Sequence, residues 1–327
     1  MQRRWMEQRR RRWTMLVIAL VVAPLLGGCE EDCVNCVEPA PVAPTQVYSE
    51  SGDEAVTLYW NDYPEIYDEG VLGYRIWKRR YLPDDHLDPE RTFEYAAEVP
   101  AGQNYDPDTG QYHWIDVDVD NAVDYEYAVS AYNETSESYL SFEFVVDTPL
   151  PMSESPLTLH DVFGDHPEYA GFDFSVAAAS GGGGQNGAAG IVDPTAPGTQ
   201  ADVRVRFDGN GVPWLDSLWS GVRLQDYGTF LDENDQLDFG GVSWAPEFGW
   251  SGSGTVELIP GHIYVIEIWN EFGAEDLHYA KLGVESFDPG GSTVRIMWAY
   301  QLVNGLPELS VPEPGARGDA ELEPIRL

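Results

Sequence analysis

The chain has 327 residues, enough for two domains at ~100–200 residues each, and carries 18 Lys+Arg against 56 Asp+Glu, a formal charge of −38. That surplus argues against a nucleic-acid partner, because phosphate binding needs a basic face, and against docking on anionic lipid through protein charge. At 43% hydrophobic and 13% aromatic the chain can bury a core, and three cysteines confined to positions 29–36 exclude a disulfide-stapled scaffold.

Residues 1–28 read as an address. Arg3, Arg4 and the run Arg9 to Arg12 make a basic start, and Trp13 to Leu26 is an apolar stretch of 14 residues. A spanning helix needs about 20, so the stretch has the length of a signal-peptide core. It ends in Leu26-Gly27-Gly28-Cys29, which resembles the bacterial lipobox, with the tolerated Gly at −2. The resemblance implies cleavage between Gly28 and Cys29, lipidation of the Cys29 thiol and acylation of the new N-terminus. The arginines hint at twin-arginine export, but the rest of that motif is missing, so the general secretory route is expected. Glu30 follows the cysteine where an Asp would retain the protein at the inner membrane, which favours the outer membrane of a bacterial envelope. Removal of the signal leaves 12 basic against 55 acidic residues, a net −43. The membrane contact expected is therefore the lipid alone.

Residues 29–44 form an acidic, then proline-rich tether with Pro39, Pro41 and Pro44, a spacing that favours extended chain. Cys33 and Cys36 stand as C-x-x-C. Without a second such pair or a strand–helix context they read as a small disulfide or two idle thiols, with a redox or metal half-site as the other reading.

From 45 to 148 the hydrophobic pattern has period two. Val56, Leu58 and Trp60 face one way; Leu72, Tyr74 and Ile76, then Ile115, Val117 and Val119, then Tyr125, Tyr127, Val129 and Ala131 repeat the pattern between turn residues. These strands resemble a fibronectin type III sandwich: Trp60 at the core-Trp position of the second strand, Gly73-Tyr74-Arg75-Ile76 as the third, and Tyr125 at the tyrosine-corner position of the sixth. The long connection from Arg79 to Gln111 has room for an extra hairpin. Asp116, Asp118 and Asp120 look like the start of a calcium loop, but Asn121 and Tyr127 stand where a Gly and a Glu are needed; the alternation instead places all three on the solvent face opposite Ile115, Val117 and Val119. Arg75, Lys78, Arg79 and Arg80 are the basic cluster of the processed chain. With Trp77 they read as a contact patch or as a strand balanced by surrounding carboxylates.

The proline-rich break at 149–156 opens a second β domain to residue 310, and 311–327 is a polar tail containing Arg317-Gly318-Asp319. Gly181 to Gly187 is flexible by composition and lacks the Gly-Lys-Ser/Thr of a phosphate loop. Val203, Val205 and Phe207 alternate with Arg204 and Arg206; Ile263 to Trp269 is nearly all apolar, as in a buried strand. No segment shows a useful helical period. The overall fold expected is all-β, a fibronectin type III-like sandwich followed by a second antiparallel β domain. Trp244, Trp250, Trp269 and Trp298 read as core or rim residues, or alternatively as a sugar-binding face.

Tyr264-Val265-Ile266, His278 to Val284 and Val294 to Gln301 are similar to the C-terminal strands of HmuY-like lipoproteins, some of which capture haem. The family's haem-ligating histidines have no matching positions here; His262 and His278 are the nearby candidates. No cofactor is otherwise expected. His160, Asp161, Asp165 and His166 form the most metal-like cluster, in a spacing that fits no established motif. No nucleophile elbow or zinc-protease motif occurs, so the expectation is a non-enzymatic protein. Its ligand is an unidentified protein, glycan or small molecule, with haem capture or a carbohydrate-active role as the alternatives.

Overall fold

The computed structural model describes residues 40–61, 70–81, 92–180, 188–269 and 276–309. The segment 1–28 read as a signal peptide, with Gly28, and also Cys29, Cys33 and Cys36, the glycine run at 181–187 and the Arg317-Gly318-Asp319 tail, lie outside the described residues.

Among the described residues, eighteen strands build four antiparallel sheets. The first sandwich uses β1 (Thr45–Gly52), β2 (Ala55–Asn61), β3 (Gly73–Arg80), β4 (Glu94–Pro100), β5 (Tyr105–Asp106), β6 (Gln111–Asp116), β7 (Tyr125–Tyr132) and β8 (Val145–Asp147). One sheet runs β1-β2-β6-β5 and the other β4-β3-β7-β8. Apart from the small β5–β6 hairpin, this is the fibronectin type III-like arrangement. The period-two pattern fixes which face is buried: Val56, Leu58, Trp60, Tyr74, Ile76, Tyr127 and Val129 make the core. Trp60 stacks on Tyr112 at 5.9 Å, and Tyr74 meets both rings. The hydroxyl of Tyr125 accepts the Asp120 N–H at 3.0 Å, closing the tyrosine corner. Leu72 departs from the expected alternation: it precedes β3 and is exposed.

The aspartate reading also needs correction. Asp116 is buried, whereas Ile115 and Val117 are 51% and 76% exposed. Tyr112 and Trp114 set the inward parity of β6 because their rings fill the aromatic core, and Asp116 follows them inward. Its buried carboxylate is satisfied by Tyr127, Lys78 and the Asp118 N–H. Val119 turns inward only after the strand has ended.

The second sandwich uses β9 (Leu157–His160), β10 (Gly171–Phe172), β11 (Ile191–Val192), β12 (Val203–Phe207), β13 (Pro213–Ser217), β14 (Val222–Thr229), β15 (Thr255–Glu257), β16 (His262–Trp269), β17 (Leu277–Asp288) and β18 (Thr293–Gln301). Its sheets run β11-β10-β12-β13-β15 and β14-β16-β17-β18-β9. Phe172, Phe174, Tyr264, Ile266, Trp298 and Tyr300 dominate the core between them. A short helix, α1 (Phe174–Ala179), was not expected from the sequence; Asp173 caps it by accepting the Val176 N–H, and Phe174 and Ala177 plug the core.

β16 is buried on both faces because a third layer covers the outside of its sheet. Val242, Ala245 and Leu309 pack on Ile263 and Val265, with Phe230, Leu237 and Phe239 around them. Gly283 permits this approach, since a Cβ there would lie 2.7 Å from Leu237 and 2.8 Å from Phe239.

The proline-rich break is bonded on both sides. Leu150 is fully buried and donates to Gly52, and Ala122 donates to Pro149. On the other side, Ser153 donates to Trp298, Tyr300 donates to Pro151, and the Thr148 N–H reaches Glu308 at 3.3 Å. The described residues from 40 to 309 belong to one compact unit. Among the described residues, no helix is long and apolar enough to cross a membrane.

Candidate functional site

The two candidate histidines are kept apart. His278 pairs with Ile268 across β16–β17, while His262 opens β16 six residues earlier. At ~3.3 Å per residue they stand about 20 Å apart along the sheet. His262 is held by Asp226 at 2.9 Å and Thr229 at 2.9 Å. His278 is buried, bonded to the Gln301 carbonyl at 3.0 Å and stacked on Tyr300. The structure therefore does not bring them together as a ligand pair. The cluster at 160–166 is also divided: Asp161 turns into the backbone and accepts from Phe163 and Phe207, while His160 and His166 meet edge to face at 5.3 Å beside Tyr169. Among the described residues no group of three or more His, Cys, Asp or Glu is arranged to hold a metal.

Three cations of the basic cluster of β3 are neutralised in place. Arg75 meets Glu98 and Glu137, Arg79 meets Glu126, and Lys78 meets Asp116. Arg75 lies over Tyr132, Arg79 over Phe93, and the Trp77 indole donates to Ser130. Of the two readings left open by the sequence, the balanced strand describes these contacts.

A constellation that the sequence did not reveal lies on the outer face of the β14-β16-β17 sheet. Register places Arg223, Glu267 and Tyr279 directly opposite one another across three strands. The Glu267 side chain is 5% exposed, and Arg223 grips it through the guanidinium. Burial, then the charge of Glu267, pushes the Tyr279 phenol up. Trp269, two residues along β16 on the same face, donates its indole N–H to Glu267 and remains 38% exposed. Trp250 covers the Arg223 guanidinium at 5.2 Å. The loop that carries Trp250 presses Gly249 against the Gln225 amide. Here two buried polar atoms, Trp250 Nε1 and Gln225 Oε1, have no hydrogen-bond partner among the described residues. One is a donor and one an acceptor, and such atoms cost free energy until a ligand or water supplies the missing bond.

The four tryptophans singled out from the sequence thus have separate fates. Trp298 is a fully buried core residue, Trp244 is half-buried within the third layer and bridges to Glu308, and Trp250 and Trp269 flank the Arg223–Glu267 pair. A second arginine–tryptophan–carboxylate group, Arg206, Trp214 and Asp216, sits on the opposite sheet. Arg204, Arg206 and Thr255 all bond its carboxylate, so that group resembles a closed surface brace.

Sequence reasoning also passed over Lys281. It is 1% exposed, and its ammonium donates to the carbonyls of Phe239 at 2.8 Å and Val242 at 3.0 Å while lying over the Phe239 ring. Burial lowers its pKa to about 7, against the opposing pull of Asp238 and Glu50. It ties the third layer to β17 and lies within electrostatic reach of the first sandwich.

No protein-family model matches the chain, and no curated protein matches it. Among solved structures, it is similar to a Fn3-like protein from Clostridium thermocellum at 17% identity, covering 33% of this chain and 92% of that one with a TM-score of 0.24. It is similar to the fibronectin type-III domain of human fibronectin type III domain containing protein 3 at 19% identity, covering 35% and 89% with a TM-score of 0.25. A structure described as a myokine gives 20% identity over 34% and 99%, again with a TM-score of 0.25. The fold assignment rests on the strand order and the Tyr125 corner rather than on these likenesses.

Proposed function

We propose that the chain is an exported bacterial lipoprotein, tethered to the envelope through acylated Cys29, favouring the outer membrane, and acting as a non-enzymatic binding protein. The observation that carries the anchor is Leu26-Gly27-Gly28-Cys29 at the end of a basic, then apolar leader. One acyl chain binds a bilayer only marginally, so stable anchoring calls for the two or three chains a lipobox cysteine receives. The strongly acidic body stays free of the anionic surface.

Binding is assigned to the face formed by Arg223, Glu267, Trp250, Trp269 and Tyr279. Its chemistry suits a neutral, polyhydroxylated ligand: an exposed indole for stacking beside a charged pair that can share hydrogen bonds. A glycan is favoured over haem because His262 and His278 are separated and each is already bonded. Metabolic labelling with palmitate tests the anchor. The wild-type chain is labelled and Cys29→Ser is not; labelled Cys29→Ser overturns the assignment.

A further inference from the structure

The chain contains two lysines in 327 residues, Lys78 and Lys281, and both side chains are shielded from solvent. Arginine, with its planar fork, is the better residue for a buried ion pair. This chain uses it accordingly: Arg75, Arg79, Arg204, Arg206, Arg223 and Arg295 all meet carboxylates. Lys78 is the one lysine among the described residues paired with a carboxylate, and its pair differs in placement. It joins the two sheets of the first sandwich, from β3 in one to Asp116 on β6 in the other.

Both ends of the contact are confined. The side chains of Lys78 and Asp116 are 18% and 4% exposed, and the Lys78 nitrogen lies 2.8 Å from Asp116 Oδ2. The contact holds the amine beside the carboxyl group it would have to attack, so the fold supplies the proximity that an amide needs. The Lys78 nitrogen is further fixed by the Asp118 carbonyl at 2.8 Å and by the Tyr125 ring. The two carboxylate oxygens have different partners: Oδ1 accepts the Asp118 backbone N–H at 3.0 Å, and Oδ2 accepts the Tyr127 hydroxyl at 3.0 Å. A backbone donor on one oxygen suits a developing oxyanion, and a hydroxyl on the other suits a departing one.

We propose that Lys78 and Asp116 form an intramolecular amide that staples the two sheets of the first sandwich. The ammonium passes one proton to the carboxylate. The free amine attacks the Asp116 carbon, the C–Oδ2 bond breaks, and that oxygen leaves as water with the second proton lost by the amine. One ammonium and one carboxylate become one amide and one water, with no oxidant, reductant or co-reactant. Tyr127 is a positioning residue that donates to the departing oxygen. The product removes two charges from a site where holding them is costly. It also gives the β body a covalent cross-link, which its cysteines, all at 36 or before, do not provide.

Peptide mapping by mass spectrometry of the full chain extracted from the envelope tests this. The fragments carrying Lys78 and Asp116 are expected as one species, lighter by one water than their sum, and as separate fragments from Lys78→Arg and from Asp116→Ala. Tyr127→Phe lowers the joined fraction. Recovery of separate, full-mass fragments from the wild-type chain overturns the proposal, as does a joined species that persists in Lys78→Arg. If a variant fails to fold, the wild-type map alone decides.

Discussion

The two sandwiches close in the same way but spend their cations differently. Each has a tyrosine whose hydroxyl accepts a backbone N–H five residues upstream: Tyr125 from Asp120, and Tyr264 from Ile259. Tyr264 also donates to the Glu257 carbonyl at 2.7 Å. In the first sandwich, Lys78 crosses from sheet to sheet, and Arg75 and Arg79 brace one sheet face. In the second, the core between the sheets is aromatic and aliphatic, and the cations lie outside it: Arg206 and Arg223 under tryptophans, Lys281 under the third layer. Polar groups between sheets fix their alignment, which suits a scaffold. Polar groups on an outer face remain available to a ligand, which suits the second sandwich as the binding side.

The largest test of that contrast is in the cores. Trp298→Ala removes a fully buried indole and is expected to cost about 3–5 kcal/mol, read from denaturant unfolding. Because 148–153 is bonded to both sandwiches, the first sandwich should unfold in the same transition; two separated transitions would show that the seam is weak.

A smaller effect is expected at Lys281. Its folded pKa is depressed to about 7 while the unfolded value is ordinary, so the unfolded chain binds more protons between those values. Stability should therefore rise as pH increases from about 7 towards 10, and Lys281→Met should flatten the rise. Above that window the trend reverses, because burial first, and then neighbouring carboxylates, holds the phenols of Tyr127 and Tyr59 above their ordinary range. A wild-type chain with no such rise contradicts the assignment.

The corners give the finest comparison. Tyr264→Phe loses two hydrogen bonds and should cost about 1–2 kcal/mol in a buried setting. Tyr125→Phe loses one and should cost about 1 kcal/mol or less. Equal costs would show that the second bond of Tyr264 contributes nothing.

Much of the fold was legible because it is local. Val56-x-Leu58-x-Trp60 and the run from Tyr125 to Ala131 state their buried face through alternation alone, and Ile263 to Trp269 states burial on both faces through a run that is apolar but for Glu267. The β6 strand misled because two alternations overlap there. Tyr112 and Trp114 argue for one parity and Ile115, Val117 and Val119 for the other, and only the aromatic partners Trp60 and Tyr74, far away in sequence, decide between them. The candidate site was illegible for the same reason. Arg223, Trp250, Glu267 and Tyr279 come from four places in the chain; cross-strand register makes neighbours of Arg223, Glu267 and Tyr279, and a loop brings Trp250 over Arg223. His262 and His278 attracted notice by proximity in sequence, which an antiparallel hairpin turned into distance. Lys281 looked like any strand lysine until the layer from 230 to 245 covered it.

The binding role proposed for this protein rests on the Arg223–Glu267 face. Retention of the full chain on a panel of immobilised glycans, compared with Trp269→Ala and Glu267→Gln, measures it. The account predicts retention of the wild-type chain on at least one glycan, lost at least tenfold in both variants while Trp77→Ala on the first sandwich is retained as before. Wild-type retention that both variants preserve, or no retention on any glycan, would contradict it.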